Sequence, residues 1–178
     1  MKKILFVILS AMLVWACGTT KNINKTIVDE KSGKKMLTGD VNREAFKDVD
    51  FKTWFDNQYE EYEFDSATVS QIKQLPDLKQ ISIVMVFGSW CGDSRRDVPR
   101  FYRILDELKF PDSKLAVVAV DRTKTANSKA LKDLTIERVP TIFFYENNVL
   151  LGKIVETPEV SLEKDMLKII QNSDRKWK

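Results

Sequence analysis

The chain has 178 residues, with 29 lysines and arginines against 26 aspartates and glutamates, and 43% of it is hydrophobic; that suffices for one domain with a core, not for two ordinary ones. It holds no histidine and two cysteines, Cys17 and Cys91, which excludes imidazole acid–base catalysis, histidine-ligated zinc, a disulfide framework and a thiolate metal cage within one chain. A formal charge of +3 with both signs interleaved gives no footprint for nucleic acid.

Lys2 and Lys3 precede an apolar run from Ile4 to Trp15, interrupted only by Ser10. A helix of this length reaches about 18 Å, short of the roughly 30 Å hydrocarbon core of a bilayer. The segment therefore reads as a secretion signal rather than a span. Val14-Trp15-Ala16-Cys17 resembles the lipobox of bacterial lipoproteins, although Trp15 stands where that pattern prefers a small residue. The resemblance implies a signal peptide over residues 1–16 and lipidation of Cys17. It also implies a lipid-anchored place in the bacterial cell envelope, facing the periplasm. Residues 17–41 are polar, lysine-rich and aperiodic, so a flexible tether is expected there.

Residues 42–80 read as a helical extension. Phe51, Trp54, Phe55, Gln58, Tyr59 and Tyr62 recur at helical spacing behind a cap at Asp50, and packing onto the core is their simplest role. A second short helix, opened by Asp65 or Ser66, carries Val69, Ile72 and Leu75 and stops before Pro76.

The domain proper is expected over residues 81–178. Ile81 to Phe87 and Leu115 to Val120 are nearly continuous apolar, β-branched runs, the mark of strands buried on both faces of a parallel sheet. Val98, Phe101, Tyr102, Leu105 and Leu108 place a helix between them, giving a right-handed crossover. A short helix is expected around Asn127 to Leu134. Thr141 to Glu146 and Val149 to Val155 form a hairpin through Asn147-Asn148, a pair that tolerates positive φ. Thr157-Pro158 then opens a last helix carrying Val160, Leu162, Met166, Leu167 and Ile170. The order β-α-β-α-β-β-α predicts an α/β fold of three layers, a central mixed sheet flanked by helices.

Between the first buried strand and its helix stands Ser89-Trp90-Cys91-Gly92-Asp93-Ser94. A cysteine at a helix N-terminus meets unpaired N–H groups and the positive end of the macrodipole, both of which favour thiolate. Arg95 and Arg96 act in the same direction; Asp93 and Asp97 oppose them. The pattern points to a reactive thiol.

Trp90-Cys91-Gly92-Asp93-Ser94 resembles the W-C-G-x-C active site of the thioredoxin family. Pro99 matches the proline of that family's active-site helix, and Val139-Pro140-Thr141 resembles its cis-proline segment. The likeness runs from Ile81 to Gln171 and is greatest to thioredoxin-like lipoproteins of bacterial envelopes. It implies that Cys91 is the nucleophile and that Ser94 and the following backbone N–H groups stabilise its thiolate. Trp90, Val139 and Pro140 would bind the substrate chain, with no metal and no organic cofactor. Two departures shape the expected chemistry. Ser94 replaces the resolving cysteine, and Met85 falls where the family has a buried acid. A mixed disulfide at Cys91 therefore needs an outside thiol to resolve it. Envelope proteins or small thiols and disulfides are the expected partners of this monothiol oxidoreductase. The alternative is a non-catalytic thioredoxin-fold binding module of the cell envelope.

Overall fold

A computed structural model describes residues 23–172. Six strands form one mixed sheet: β1 (Lys25–Val28), β2 (Lys35–Val41), β3 (Ile81–Phe87), β4 (Leu115–Ala119), β5 (Thr141–Glu146) and β6 (Val149–Val155). Their spatial order is β1-β2-β4-β3-β5-β6. Only β3 and β4 run parallel, in register from Ile83 opposite Leu115 to Phe87 opposite Ala119. Asn147 and Asn148 close the β5–β6 turn with φ of 49° and 68°, as their tolerance of the left-handed region predicts.

The helices are α1 (Val49–Glu61), α2 (Ser66–Lys73), α3 (Gly92–Glu107) and α4 (Leu162–Gln171). Alternation along β3 sends Ile81, Ile83, Met85 and Phe87 to one face and Val86 to the other. The first face receives the apolar sides of all four helices and holds the larger core. Phe51 of α1 is buried there, and Phe46 stacks on Phe55 with ring centroids 4.3 Å apart and meets Tyr102 of α3 at 5.8 Å. The aromatic extension is thus part of the core. The second face is covered by the segment from Ala126 to Val139.

Four expectations need correction. Residues 25–41 are not tether: β1 and β2 pair as a hairpin, from Lys25 opposite Thr38 to Val28 opposite Lys35, and β2 continues against β4. Edge strand β1 is mostly exposed, so it carries no apolar alternation to betray it. The helix expected at 127–134 shrinks to a 3-10 turn at Lys129–Leu131, because apolar and exposed residues there never build one buried face. Asp48, not Asp50, caps α1, its side chain accepting from the Asp50 N–H. The last helix opens at Ser161, which accepts from Lys164 N–H, and Val160 stays outside it at 71% exposure.

Candidate active site

Strand β3 delivers the chain to a tight corner, Gly88-Ser89-Trp90-Cys91, before α3 begins. Cys91 is the N-cap of α3, with extended φ and ψ of −91° and 132°. Its N–H donates to Gly88 O and its carbonyl accepts from Arg95 N–H. Its side chain caps nothing. The thiol is half-buried and unbridged, and it donates to Val139 O at 3.4 Å. The Val139–Pro140 peptide bond is cis. Residues 48 apart in sequence thus meet at one sulfur, and Trp90 packs into the same cluster as Cys91 and Val139.

Trp90 is fixed by its own contacts. Its Nε1–H donates to Val120 O at 2.9 Å, and its indole lies so close to Gly88 that a Cβ there would meet the ring at 2.7 Å. Only glycine lets the backbone pass beneath the ring. On the indole, at 4.9 Å, sits the guanidinium of Arg122. Arg122 is held in turn by Asp29, a buried carboxylate at the β1–β2 turn. Hydrogen bonds from Arg122 and Ser32 keep the Asp29 carboxyl well below the usual carboxylate range, against its desolvation. The pair with Asp29 also raises Arg122, against its own desolvation, and the nearby Cys91 sulfur adds in the same direction.

The hairpin makes a second connection. Leu37 N–H of β2 donates to the buried Ser89 Oγ at 2.9 Å, two residues before the cysteine. Sequence reasoning missed Asp29, Ser89 and Arg122, since their partners lie 93 and 52 residues away. A local signal that could have found the hairpin is the Ser32-Gly33 pair, where Gly33 takes a φ of 68°.

Ser94 does not do what the motif suggested. It is fully buried, and its Oγ accepts from Gly88 N–H at 3.2 Å. No hydrogen bond joins it to Cys91. Met85 lies in the interior of β3 with no exposed surface, and a thioether cannot titrate. The two arginines after Ser94 part company. Arg96 bridges Asp93 and Asp97, both at 2.8 Å, while Arg95 folds back so that Nε donates to Ser89 O at 2.6 Å. Cys17 lies outside the described residues. Among the described residues no group of side chains could hold a metal ion, and no helix is long and apolar enough to cross a membrane.

The thioredoxin family model matches residues 60–170. Over 81 residues, 46% of the chain, the sequence is 31% identical to a protein disulfide-isomerase of Mus musculus, of which this is 15%. Over 93 residues, 52% of the chain, it is 26% identical to a thioredoxin-like protein of Acanthamoeba polyphaga mimivirus, covering 65% of that protein. The chain thus matches these curated relatives over less than two thirds of their length. A crystal structure of a protein of unknown function from Pseudomonas aeruginosa shares the fold, with a TM-score of 0.51 at 14% identity, over 68% of this chain and 84% of that one.

Proposed function

Because the chain belongs to the thioredoxin family, we propose that it exchanges disulfides at Cys91 as a monothiol protein tethered in the bacterial cell envelope. The observation that carries this reading is the half-buried thiol of the residue that opens α3, set against the Val139 carbonyl.

In the proposed reaction the Cys91 thiolate attacks one sulfur of a disulfide. The Cys91–substrate S–S bond forms as the original S–S bond breaks, and the departing sulfur leaves with the electron pair and takes a proton. Trp90, Val139 and Pro140 form the wall along which the substrate lies. Ser94, a hydroxyl buried on Gly88 N–H, offers no second sulfur. An outside thiol therefore attacks the mixed disulfide and frees Cys91. Ser94 serves the site by holding the corner rather than by touching the sulfur.

Removal of residues 1–16 and lipidation of Cys17 would hold the domain on a membrane surface facing the periplasm, each buried CH₂ contributing about 0.8 kcal/mol. The tether is then the stretch between Cys17 and β1, shorter than the sequence suggests. The test uses the full chain with Cys17→Ser, leaving Cys91 as its one thiol. Incubation with a small neutral disulfide should give a Cys91 adduct by mass spectrometry that a second thiol removes. No adduct at neutral pH would transfer the protein to the binding-module reading.

A further inference from the structure

Where α1 crosses α3, a groove of about 500 Å³ opens beside Gly92, the residue after Cys91. Its α3 wall carries Arg95, Arg96 and Arg100, and its α1 wall carries Trp54, Asn57 and Gln58. The nearby carboxylates, Asp93 and Asp97, both pair with Arg96. Arg95 bonds Ser89 O through Nε. Arg100 donates through Nε to Gln58 Oε1 at 3.0 Å and lies 5.3 Å from the Tyr62 ring centroid. Among the described residues, neither Arg95 nor Arg100 has a carboxylate within ion-pair distance.

The rest of the wall has the same polarity. Gln58 uses its oxygen on Arg100, which leaves its amide N–H groups to donate. Trp54 Nε1 is buried with no acceptor in the protein, an omission that folded proteins rarely make. Asn57 adds a neutral amide, so charge decides the preference: three guanidiniums line the groove while the two nearby carboxylates are both spent on Arg96, which selects an anion, and guanidinium forks match the two oxygens of a carboxylate. Arg95 ties this surface to the sulfur: its N–H donates to Cys91 O and its side chain to Ser89 O. Arg95 stands about one helical turn from the nucleophile, and Arg100 between two and three turns along the same helix. Helix α1 almost wholly precedes the stretch shared with the family, which begins at residue 60, so one wall of the groove comes from this chain's extension and the other from the family domain.

We propose that this groove binds a carboxylate carried by the substrate disulfide, making small acidic disulfides the preferred substrates of Cys91. The inference rests on the exchange reaction proposed above and adds no redox partner to it. With the carboxylate on Arg95 and Arg100, the neighbouring sulfur is held toward Cys91. The exchange then proceeds as before, the second half of the disulfide leaving as a protonated thiol.

Three symmetrical disulfides of similar length test this: 3,3′-dithiodipropionate (anionic), bis(2-hydroxyethyl) disulfide (neutral) and cystamine (cationic). Mass spectrometry reads Cys91 adduct formation in the full chain with Cys17→Ser, each rate divided by that of a free small thiol. The anionic probe should lead the neutral one by about tenfold, the cationic probe should trail, and added salt should narrow the gap. Arg95→Gln with Arg100→Gln should bring the anionic-to-neutral ratio toward one, and Arg100→Lys should keep most of it. The same charge loss at Lys79→Gln with Lys109→Gln, in the turn before β3 and just past the C-terminus of α3, should leave the ratio alone. Equal rates for the first two probes in the native chain, or a ratio that survives the double arginine change, would overturn the proposal. If that variant does not fold, a ratio insensitive to salt in the native chain overturns it equally. Reaction with none of the three probes would instead remove the exchange reading itself.

Discussion

Asp29 grips Arg122 through two parallel contacts, Nε to Oδ1 and Nη2 to Oδ2, both 2.7 Å long. The carboxylate belongs to the N-terminal hairpin, and the guanidinium lies over Trp90 in the site. The pair therefore fastens a strand pair that precedes the family's matched region onto the residue beside the nucleophile.

Asp29→Asn should lower thermal stability, because it leaves Arg122 half-buried without its counter-charge. The pH dependence follows from the direction of the Asp29 shift, which is downward. A carboxyl with a depressed folded pKa contributes stability that is present above its unfolded value of about 3.9 and fades as pH falls through the lower folded value. The difference in melting temperature between the native chain and Asp29→Asn should stay level from about pH 8 to 5 and shrink only in strong acid. A gap that closes between pH 8 and 5 would show that another group governs it.

Phe51→Ala probes how firmly the extension is welded to the core. Phe51 is 2% exposed, and truncating a buried phenylalanine costs about 3–5 kcal/mol. One cooperative transition should move to lower denaturant, read by circular dichroism. Two separate transitions would mean that α1 unfolds on its own.

These two residues also mark what the sequence discloses and what it hides. The centre of the sheet was readable because β3 and β4 bury both faces and so use unbroken β-branched runs. The α3 periodicity and the Asn147-Asn148 turn were equally local signals. Cys91 stood out because a strand–cysteine–helix order needs only neighbours to be seen. The hairpin was hidden because β1 is an exposed edge, and because β2 interrupts Met36-Leu37 with Thr38, Gly39 and Asp40. Asp29 reads locally as one more acid in a charged turn. Its meaning comes from a partner 93 residues away, and no periodicity encodes that distance. Ser94 is the opposite case: the family resemblance implies a role at the Cys91 sulfur, whereas its hydroxyl accepts from Gly88 N–H.

The membrane tether makes its own prediction. Lys2 and Lys3, the apolar run and Ala16-Cys17 motivate lipid attachment at Cys17. Labelled fatty acid should enter the native chain in a bacterial host and should be absent from Cys17→Ala. Label retained by that variant would place the lipid elsewhere, and a native chain that takes up no label would leave the leader a plain secretory signal.

Ser94→Cys separates the proposed mechanism from the fold alone. As the chain stands, attack by Cys91 leaves a mixed disulfide that waits for an outside thiol. The substitution puts a second sulfur three residues along α3, where side chains lie on one helical face, and resolution becomes intramolecular. Effective concentrations for well-oriented groups reach about 10⁵ M or more, so disulfide-reduction turnover should rise well above the native rate. Two features limit the gain. Gly88 N–H loses its Ser94 acceptor, a change of about 1–3 kcal/mol in stability. Met85, buried where the thioredoxin resemblance implies an acid, cannot help deprotonate the new thiol. Rates for the native sequence, Ser94→Cys and Cys91→Ala, each in the Cys17→Ser chain, decide the matter. If Ser94→Cys matches Cys91→Ala, the site does not attack disulfides. If the native sequence already turns over as fast as Ser94→Cys, the missing sulfur was never the bottleneck.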